Sequence, residues 1–114
     1  MKKIFFLFIL VAQSVLSQEL ALVRKDGKFG YISKSGEFAI QPKFKVAKNF
    51  SDGLAAAEEN GKWGFINTKG EWVIQPVFTN VKYFDSGICL VEKDKEWMYI
   101  NKKGEKVQMP TSDK

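Results

Sequence analysis

The fold of this chain is decided by one stretch of sequence, Gly61-Lys62-Trp63-Gly64-Phe65-Ile66-Asn67-Thr68-Lys69-Gly70-Glu71-Trp72-Val73-Ile74-Gln75-Pro76. Its large apolar residues recur at every second position, which is the period of a half-buried strand and not that of a helix. Asn60-Gly61 is a hairpin signal, because a two-residue type I′ turn needs positive φ at both positions. Gly70 closes a three-residue loop of the kind that ends in a left-handed residue. The stretch therefore predicts successive antiparallel hairpins.

The same pattern recurs along the chain at a fixed spacing. Residues 20–53 and 54–87 carry the same amino acid at 15 of 34 aligned positions. Self-similarity at a fixed period is the signature of a repeat architecture. A shortened third copy, residues 88–114, keeps six residues of the pattern: Trp97, Tyr99, Ile100, Gly104, Glu105 and Pro110. We therefore predict a single repeat domain over residues 18–114, with two full units and a shortened third.

Each unit is expected to form three antiparallel strands, which gives about eight or nine strands in all. The opening segments Leu20–Val23, Leu54–Ala57 and Ile88–Val91 are apolar on both faces and are predicted to be central strands. Pro42 and Pro76 cannot donate to a ladder and are expected to end strands, with a looser stretch behind each. The predicted structural positions of the repeat motif are Gly27, Gly30, Gly36, Gly53, Gly61, Trp63, Gly64, Gly70, Gly87 and Gly104.

The chain is therefore expected to be all-β, with tandem antiparallel β-hairpin repeats of about 34 residues in an open array or a small rolled sheet. A closed propeller needs about four or more blades of four strands, which this length does not supply. Aromatic rings buried between the units are expected to hold the fold together. In detail, a ring is expected to lie over the strand glycines Gly30 and Gly64. Ser51 and Asp52, with their counterparts in the next unit, are expected to cap their own turns.

Residues 1–17 are predicted to be a secretory signal peptide. Lys2 and Lys3 precede a continuous apolar run, and small or tolerated residues follow it near Ser17. The run is shorter than the 20 or so residues that a spanning helix needs, and no second run follows. We therefore expect an exported protein, periplasmic or secreted, without a membrane anchor after cleavage.

The composition argues against catalysis. The chain has no histidine and one cysteine, which removes Ser-His-Asp and Cys-His nucleophile pairs and histidine-ligated zinc. Cys89 falls in a column of alanines in the repeat and is expected to be a buried small apolar residue. Glu37, Glu71 and Glu105 each follow a loop glycine once per unit, which indicates a structural role. We expect no enzyme activity, no cofactor, no metal and no nucleic-acid partner.

The motif resembles the WG repeat, also called the KWG repeat, of bacterial exported and surface proteins. The resemblance is carried by Gly61–Ile66, Gly70–Pro76 and Phe84–Gly87, with a variant first copy at Gly27–Ile32, and it covers roughly residues 20–110. It implies a β-rich repeat without assigned catalytic residues and with an interaction role. The third copy departs from the pattern at Lys95, which replaces the turn glycine, and at Met98, which replaces the glycine after tryptophan. Its polar final strand is interpreted as a cap.

Exposed aromatic residues are the predicted functional feature. Most rings sit at repeating positions on the apolar face of the strands and are expected to form the core. Trp97 and Tyr99 are the expected exceptions, because the last unit has no successor to cover it. Together with Trp72 they form the predicted interaction surface, since exposed rings bind sugars or protein partners.

The leading functional hypothesis is a non-catalytic exported binding or scaffold module that mediates protein interaction. One alternative is a carbohydrate-binding module for cell-envelope glycans, and another is a small secreted inhibitor of an enzyme. Self-association is compatible with all three.

Overall fold

A computed structural model describes residues 19–108 of the protein. These residues form β-strands and no helix, which confirms the predicted all-β fold. None of them belongs to a helix long and apolar enough to cross a membrane. The predicted signal peptide, residues 1–17, lies outside the described part. The strands are β1 (Ala21–Lys25), β2 (Lys28–Ile32), β3 (Phe38–Phe44), β4 (Ala47–Ser51), β5 (Leu54–Glu59), β6 (Lys62–Ile66), β7 (Trp72–Phe78), β8 (Asn80–Val81), β9 (Ile88–Lys93), β10 (Glu96–Asn101) and β11 (Lys106–Val107).

The strands form three separate antiparallel sheets, each in the order of the chain. The first sheet contains β1 to β3, the second β4 to β7 and the third β8 to β11. The expectation of three strands per unit was therefore wrong. The stretch from Pro42 to Gly53, expected to be loose, contains β4, which pairs with β5 and opens the next sheet. Each sheet of four strands therefore begins in one sequence unit and ends in the next.

The two prolines lie inside strands and do not end them. Pro42 is in β3 and Pro76 is in β7, and each of these strands is at the edge of its sheet. An edge strand tolerates proline because one row of its N–H groups has no ladder partner. The pairing of β3 with β2 and of β7 with β6 shifts in register near these prolines.

The second sheet is buried on both faces. Strand β5 reads Leu54-Ala55-Ala56-Ala57, and all four residues are buried, with alternate side chains entering different cores. This confirms the prediction of a central strand for β5, and β9 is central in the third sheet. The prediction was wrong for β1, which among the described residues pairs with β2 alone. The open array is thus a stack of three sheets with two cores between them.

The two junctions between sheets repeat the same contacts. In the first, the rings of Tyr31 and Phe50 pack edge to face, with 4.7 Å between the ring centroids. In the second, Phe65 and Phe84 meet in the same way at 4.8 Å. Such pairs add about 0.5–1.5 kcal/mol beyond the burial of their surface. Because both members of the second pair lie one repeat period after those of the first, the repeat in the sequence reproduces one junction twice.

Isoleucine side chains pack on loop glycines in the same repeated way. A β-carbon built at Gly70 would lie 3.2 Å from the side chain of Ile40, and one at Gly104 would lie 3.3 Å from that of Ile74. Both glycines also have positive φ, as the three-residue loops require. The loop glycine of each later sheet therefore receives an isoleucine of the sheet before it.

The side chains of the first Ser-Asp turn bind the next turn and not their own backbone. The Ser51 hydroxyl donates to the carbonyl oxygen of Phe84 at 2.6 Å. The backbone N–H of Gly87 donates to Asp52 Oδ2 at 2.7 Å. For Ser51 and Asp52, the expected capping of their own turn is replaced by hydrogen bonds to the next turn, which join the second sheet to the third.

The space over the strand glycines is filled by backbone and not by a ring. A β-carbon at Gly64 would lie 2.5 Å from the carbonyl oxygen of Ile74 and 2.6 Å from the nitrogen of Pro76. Gly30 faces Ile40 and Pro42 in the same manner. The expected ring over glycine was therefore wrong. The register shift of the proline-containing strand brings its backbone to the place that a side chain would occupy.

We predict that Gly64→Ala destabilises the fold by about 3 kcal/mol or more, because backbone cannot move aside as a side chain can. Denaturant unfolding measures the change. The control is Gly61→Ala, where an added β-carbon meets no described residue within 4 Å and the positive φ opposes the change, at about 1 kcal/mol. Equal losses in the two variants would contradict the close approach at Gly64.

The third hairpin turn keeps the left-handed geometry without a glycine. Asn60-Gly61 has φ values of 55° and 83°, and Asp94-Lys95 has 53° and 69°. A left-handed conformation costs an ordinary residue about 1–2 kcal/mol. Lys95 is therefore strained, while the same turn in the unit before it is relaxed.

We predict that Lys95→Gly stabilises the protein by roughly 0.5–1 kcal/mol, since relief of the strain exceeds the extra entropy that glycine loses on folding. Gly61→Lys is the reverse change in the matching turn and should destabilise the protein by a similar amount. Thermal or urea unfolding of both variants tests this, and a less stable Lys95→Gly would refute it.

Candidate interaction surface

Alternation along β10 sets the direction of the predicted site residues. Trp97 and Tyr99 lie on one face of the third sheet, whereas Met98 and Ile100 contribute to the core between the second and third sheets. Trp97 is 47% exposed and Tyr99 is 37% exposed. The structure thus brings these two predicted residues together on the outer face of the stack.

Neighbouring strands complete this surface, which we call the terminal face. In the ladder, Leu90 on β9 is opposite Tyr99, and Glu92 is opposite Trp97. Val107 on β11 is opposite Tyr99 from the other side. The terminal face is defined by Lys82, Leu90, Glu92, Trp97, Tyr99 and Val107. Its six residues are mainly apolar, with one cation and one carboxylate.

The charged groups of the terminal face are placed close to the indole. Lys82 Nζ lies 5.6 Å from the centroid of the Trp97 ring, within the range of a cation–π contact. The Glu92 carboxylate accepts a hydrogen bond from Asn80 Nδ2 at 2.6 Å and one from Thr79 Oγ1 at 3.3 Å. These contacts hold the polar rim around the rings before any ligand is bound.

Trp72 lies elsewhere. Its side chain is half-buried and packs against the core between the first and second sheets. Its ring meets Phe44 edge to face at 5.9 Å. The structure therefore does not bring Trp72 together with Trp97 and Tyr99, and it places the Trp72 ring in the packing between sheets.

An exposed ring that the sequence did not single out is Tyr83, which is 66% exposed. It borders an apolar groove of about 430 Å³ next to Leu22, Ala47 and Phe50. The repeat offers one signal for it, because the same position in the preceding unit is occupied by the polar residue Asn49. A polar counterpart indicates a position that faces solvent.

The buried titratable groups belong to the cores. Cys89 is buried, as expected, and burial raises the pKa of its thiol to about 11. Burial also raises the pKa of Tyr31 well above its ordinary value of 10. The Tyr31 hydroxyl donates to the carbonyl oxygen of Lys48 at 2.6 Å, so this tyrosine joins the first sheet to the second. A protonated, buried thiol is a poor nucleophile.

The recurring glutamates are engaged in their loops. Asn67 Nδ2 donates to Glu71 Oε1 at 3.0 Å, and Asn101 Nδ2 donates to Glu105 Oε1 at 2.9 Å. In the part of the chain that the structure describes, no three His, Cys, Asp or Glu side chains are grouped to hold a metal ion.

Comparison with protein families identifies the repeat. A family model described as "WG containing repeat" matches residues 29–63 and, adjacent to them, residues 63–97. The two matches are offset by one repeat period, as are the two junctions in the structure. No curated protein and no solved structure was found to match the chain.

The burial of Tyr31 predicts that the stability of the protein falls at alkaline pH. Its pKa is higher in the folded than in the unfolded protein, so its contribution to stability is complete below about pH 10 and is lost as the pH rises above that value. Tyr31→Phe should cost about 1 kcal/mol at pH 7, from the lost hydrogen bond. It should also lessen the loss of stability in alkali, with Cys89 accounting for part of what remains.

Urea unfolding at neutral and at alkaline pH measures both effects. Phenylalanine fits this site in the next unit, where Phe65 has the equivalent position. Tyr83→Phe, a change at an exposed tyrosine, is the control. An alkaline decline as steep in Tyr31→Phe as in the wild type would show that Tyr31 does not contribute to it.

Proposed function

The chain belongs to the WG repeat family, and we propose that it is a non-catalytic exported binding module that recognises a protein partner through its terminal face. The observation that carries this proposal is the pair of exposed rings, Trp97 and Tyr99, on one rigid β-sheet face. Lys82 and Glu92 stand beside them with opposite charges. The aromatic rings that contact each other edge to face lie in the packing between the sheets.

The chemistry of the terminal face suits a protein partner. Tryptophan and tyrosine bury a large area at a small cost in side-chain entropy, and they dominate the energy of protein interfaces. The sheet behind them is fixed by the second core, so little ordering is needed on binding. Truncation of one such ring at the centre of an interface typically costs about 2 kcal/mol or more.

The absence of histidine from the sequence supports a role without catalysis, and so do the buried thiol of Cys89 and the loop-bound carboxylates of Glu71 and Glu105. Export is supported by the sequence of residues 1–17. A stack of repeats that presents a face to a partner also suits a scaffold, in which binding is the whole activity.

A glycan is the second candidate ligand, and the spacing of the rings favours it. Trp97 and Tyr99 are two residues apart on one strand, so their Cα atoms are about 7 Å apart and their side chains lie on the same face of the sheet. Asn80 and Glu92 lie beside them with hydrogen-bonding groups. Flat rings with polar neighbours can stack on sugar units.

We predict that a photo-crosslinking amino acid placed at position 99 captures a discrete protein in the native host. The same group at position 77 should not, since Val77 is exposed to a similar degree, 41%, but lies on β7 outside the terminal face. Mass spectrometry identifies the product, and Trp97→Ala should reduce its yield at least tenfold, corresponding to the roughly 2 kcal/mol expected for a central ring.

Equal capture from positions 99 and 77 would contradict the proposal. Binding to a glycan array that is lost in Trp97→Ala and kept in Val77→Ala, without protein capture, would assign the face to sugars.

A further inference from the structure

We propose that the partner of the terminal face is a second copy of this chain, which docks head to tail through the outer face of its first sheet. This inference rests on the proposed function and names the occupant of the same site. Its basis is the repeat itself, because the chain builds one kind of junction twice and carries both halves of that junction at the two ends of the stack.

The first half is the face that each later sheet turns toward the sheet before it. In the second sheet this face is formed by Ala55, Ala57 and Ile66, which lie in the first core. In the third sheet the equivalent residues Cys89, Val91 and Ile100 lie in the second core. Small or branched apolar side chains thus fill these positions at both internal junctions.

The first sheet carries the same kind of face on its outside. The equivalent residues are Ala21, Val23 and Ile32, paired across β1 and β2 in the same register. Ala21 is exposed and the other two are half-buried. Phe38, opposite Ile32 on β3, adds a further half-buried ring. This face therefore has the same apolar composition as the sheet faces that are covered at the two internal junctions.

The second half is the terminal face. Its residues Leu90, Trp97 and Tyr99 occupy the positions of Ala56, Trp63 and Phe65, which pack toward the third sheet. Even the cation is repeated, because Lys48 Nζ lies 4.9 Å from the Trp63 ring as Lys82 lies over Trp97. The terminal face therefore has the pattern of a face that another sheet covers.

The loop glycines support the same orientation. Gly70 and Gly104 each receive an isoleucine from the preceding sheet, whereas a β-carbon at Gly36 would meet nothing within 4 Å among residues 19–108. Gly36 has the same positive φ as the other two. The first sheet thus has the loop that receives an isoleucine at the internal junctions, and no residue in the part of the chain that the structure describes packs on that loop's glycine.

Charge also favours this pairing. Lys25 lies on the outer face of the first sheet, with its Nζ 5.9 Å from the Phe38 ring, beside the turn between β1 and β2. Glu92 lies on the terminal face beside the equivalent turn between β9 and β10. Stacking in the orientation of the internal junctions places these opposite charges at the same end of the contact.

The contact between copies is smaller than an internal junction. Gln108 occupies the repeat position of Ile40 and Ile74, the two isoleucines that pack on loop glycines. In addition, the ring of Phe50 or Phe84 that covers each internal aromatic residue has no counterpart among the described residues of the first sheet. We therefore expect reversible association that depends on concentration, and not a permanent dimer.

Sedimentation velocity of the purified protein, at concentrations up to about 1 mM, the range of a weak contact, tests the proposal. Association is expected in the wild type and should weaken at least tenfold in Tyr99→Asp and equally in Val23→Asp, which change the two different faces. Val77→Asp, outside both faces, should associate as the wild type does. Tyr99→Ala and Val23→Ala repeat the test with milder changes, and circular dichroism checks that each variant is folded.

Mixing makes the test specific for head-to-tail docking. In a mixture of Tyr99→Asp and Val23→Asp, one unaltered face of each kind remains, so pairs containing both variants should form although neither variant associates alone. Failure of the folded variants to pair on mixing would overturn the proposal, as would a Val23→Asp variant that associates normally.

The outcome separates this inference from the proposed function. A wild type that stays monomeric up to about 1 mM overturns head-to-tail docking. If position 99 still captures a different protein, the proposed function stands alone. Without either result, both proposals fail.

Discussion

Burial of both faces of the second sheet is the interaction on which the rest of this structure depends. A β-sheet three or four strands wide cannot bury its apolar faces by itself, and this chain has one cysteine and so no internal disulfide. The second sheet solves the problem by serving as a wall of two cores. One of its two central strands, β5, carries three consecutive alanines, Ala55–Ala57, which face alternately into the first core and the second. Large side chains for each core come mainly from the neighbouring strands and sheets.

The sheets and the sequence repeat share a period but not a boundary. Strand β4 belongs to the end of one sequence unit and to the start of the next sheet, because it pairs with β5 and not with β3. The chain therefore passes from one sheet to the next at each junction, where aromatic rings of the two sheets also pack together. The hydrogen bonds from Ser51 and to Asp52 add a polar lock between successive turns. A unit is consequently stabilised by its neighbours, which is the usual property of a repeat protein.

The sequence predicted those features that depend on local chemistry. Alternation and turn glycines were sufficient for the strands β5 and β6 and for the left-handed turns, and the repeat spacing was sufficient for the equivalence of the units. Features that depend on contacts between strands were missed. Nothing local distinguishes β4 from a loop, since its partner lies across a turn that the repeat boundary divides. The close approach of backbone to Gly64 likewise arises from the register shift at Pro76, which no periodicity contains.

For the candidate site, the repeat was the informative signal and composition was not. Trp97 and Tyr99 have the same residue types as the half-buried Trp63 and the buried Tyr31 of earlier units, so residue type does not predict their exposure and their place in the third unit does. Trp72 has the same chemistry and a different fate, because the first sheet covers it. A side chain in this fold is thus core or surface according to whether another sheet follows. The positions that bind the second sheet to the third are filled in the third sheet by Trp97 and Tyr99, whose rings are exposed. Gln108 likewise replaces the isoleucine that Ile40 and Ile74 supply to the loop glycine of the following sheet, so the same repeat position changes its role when no further described sheet packs on it.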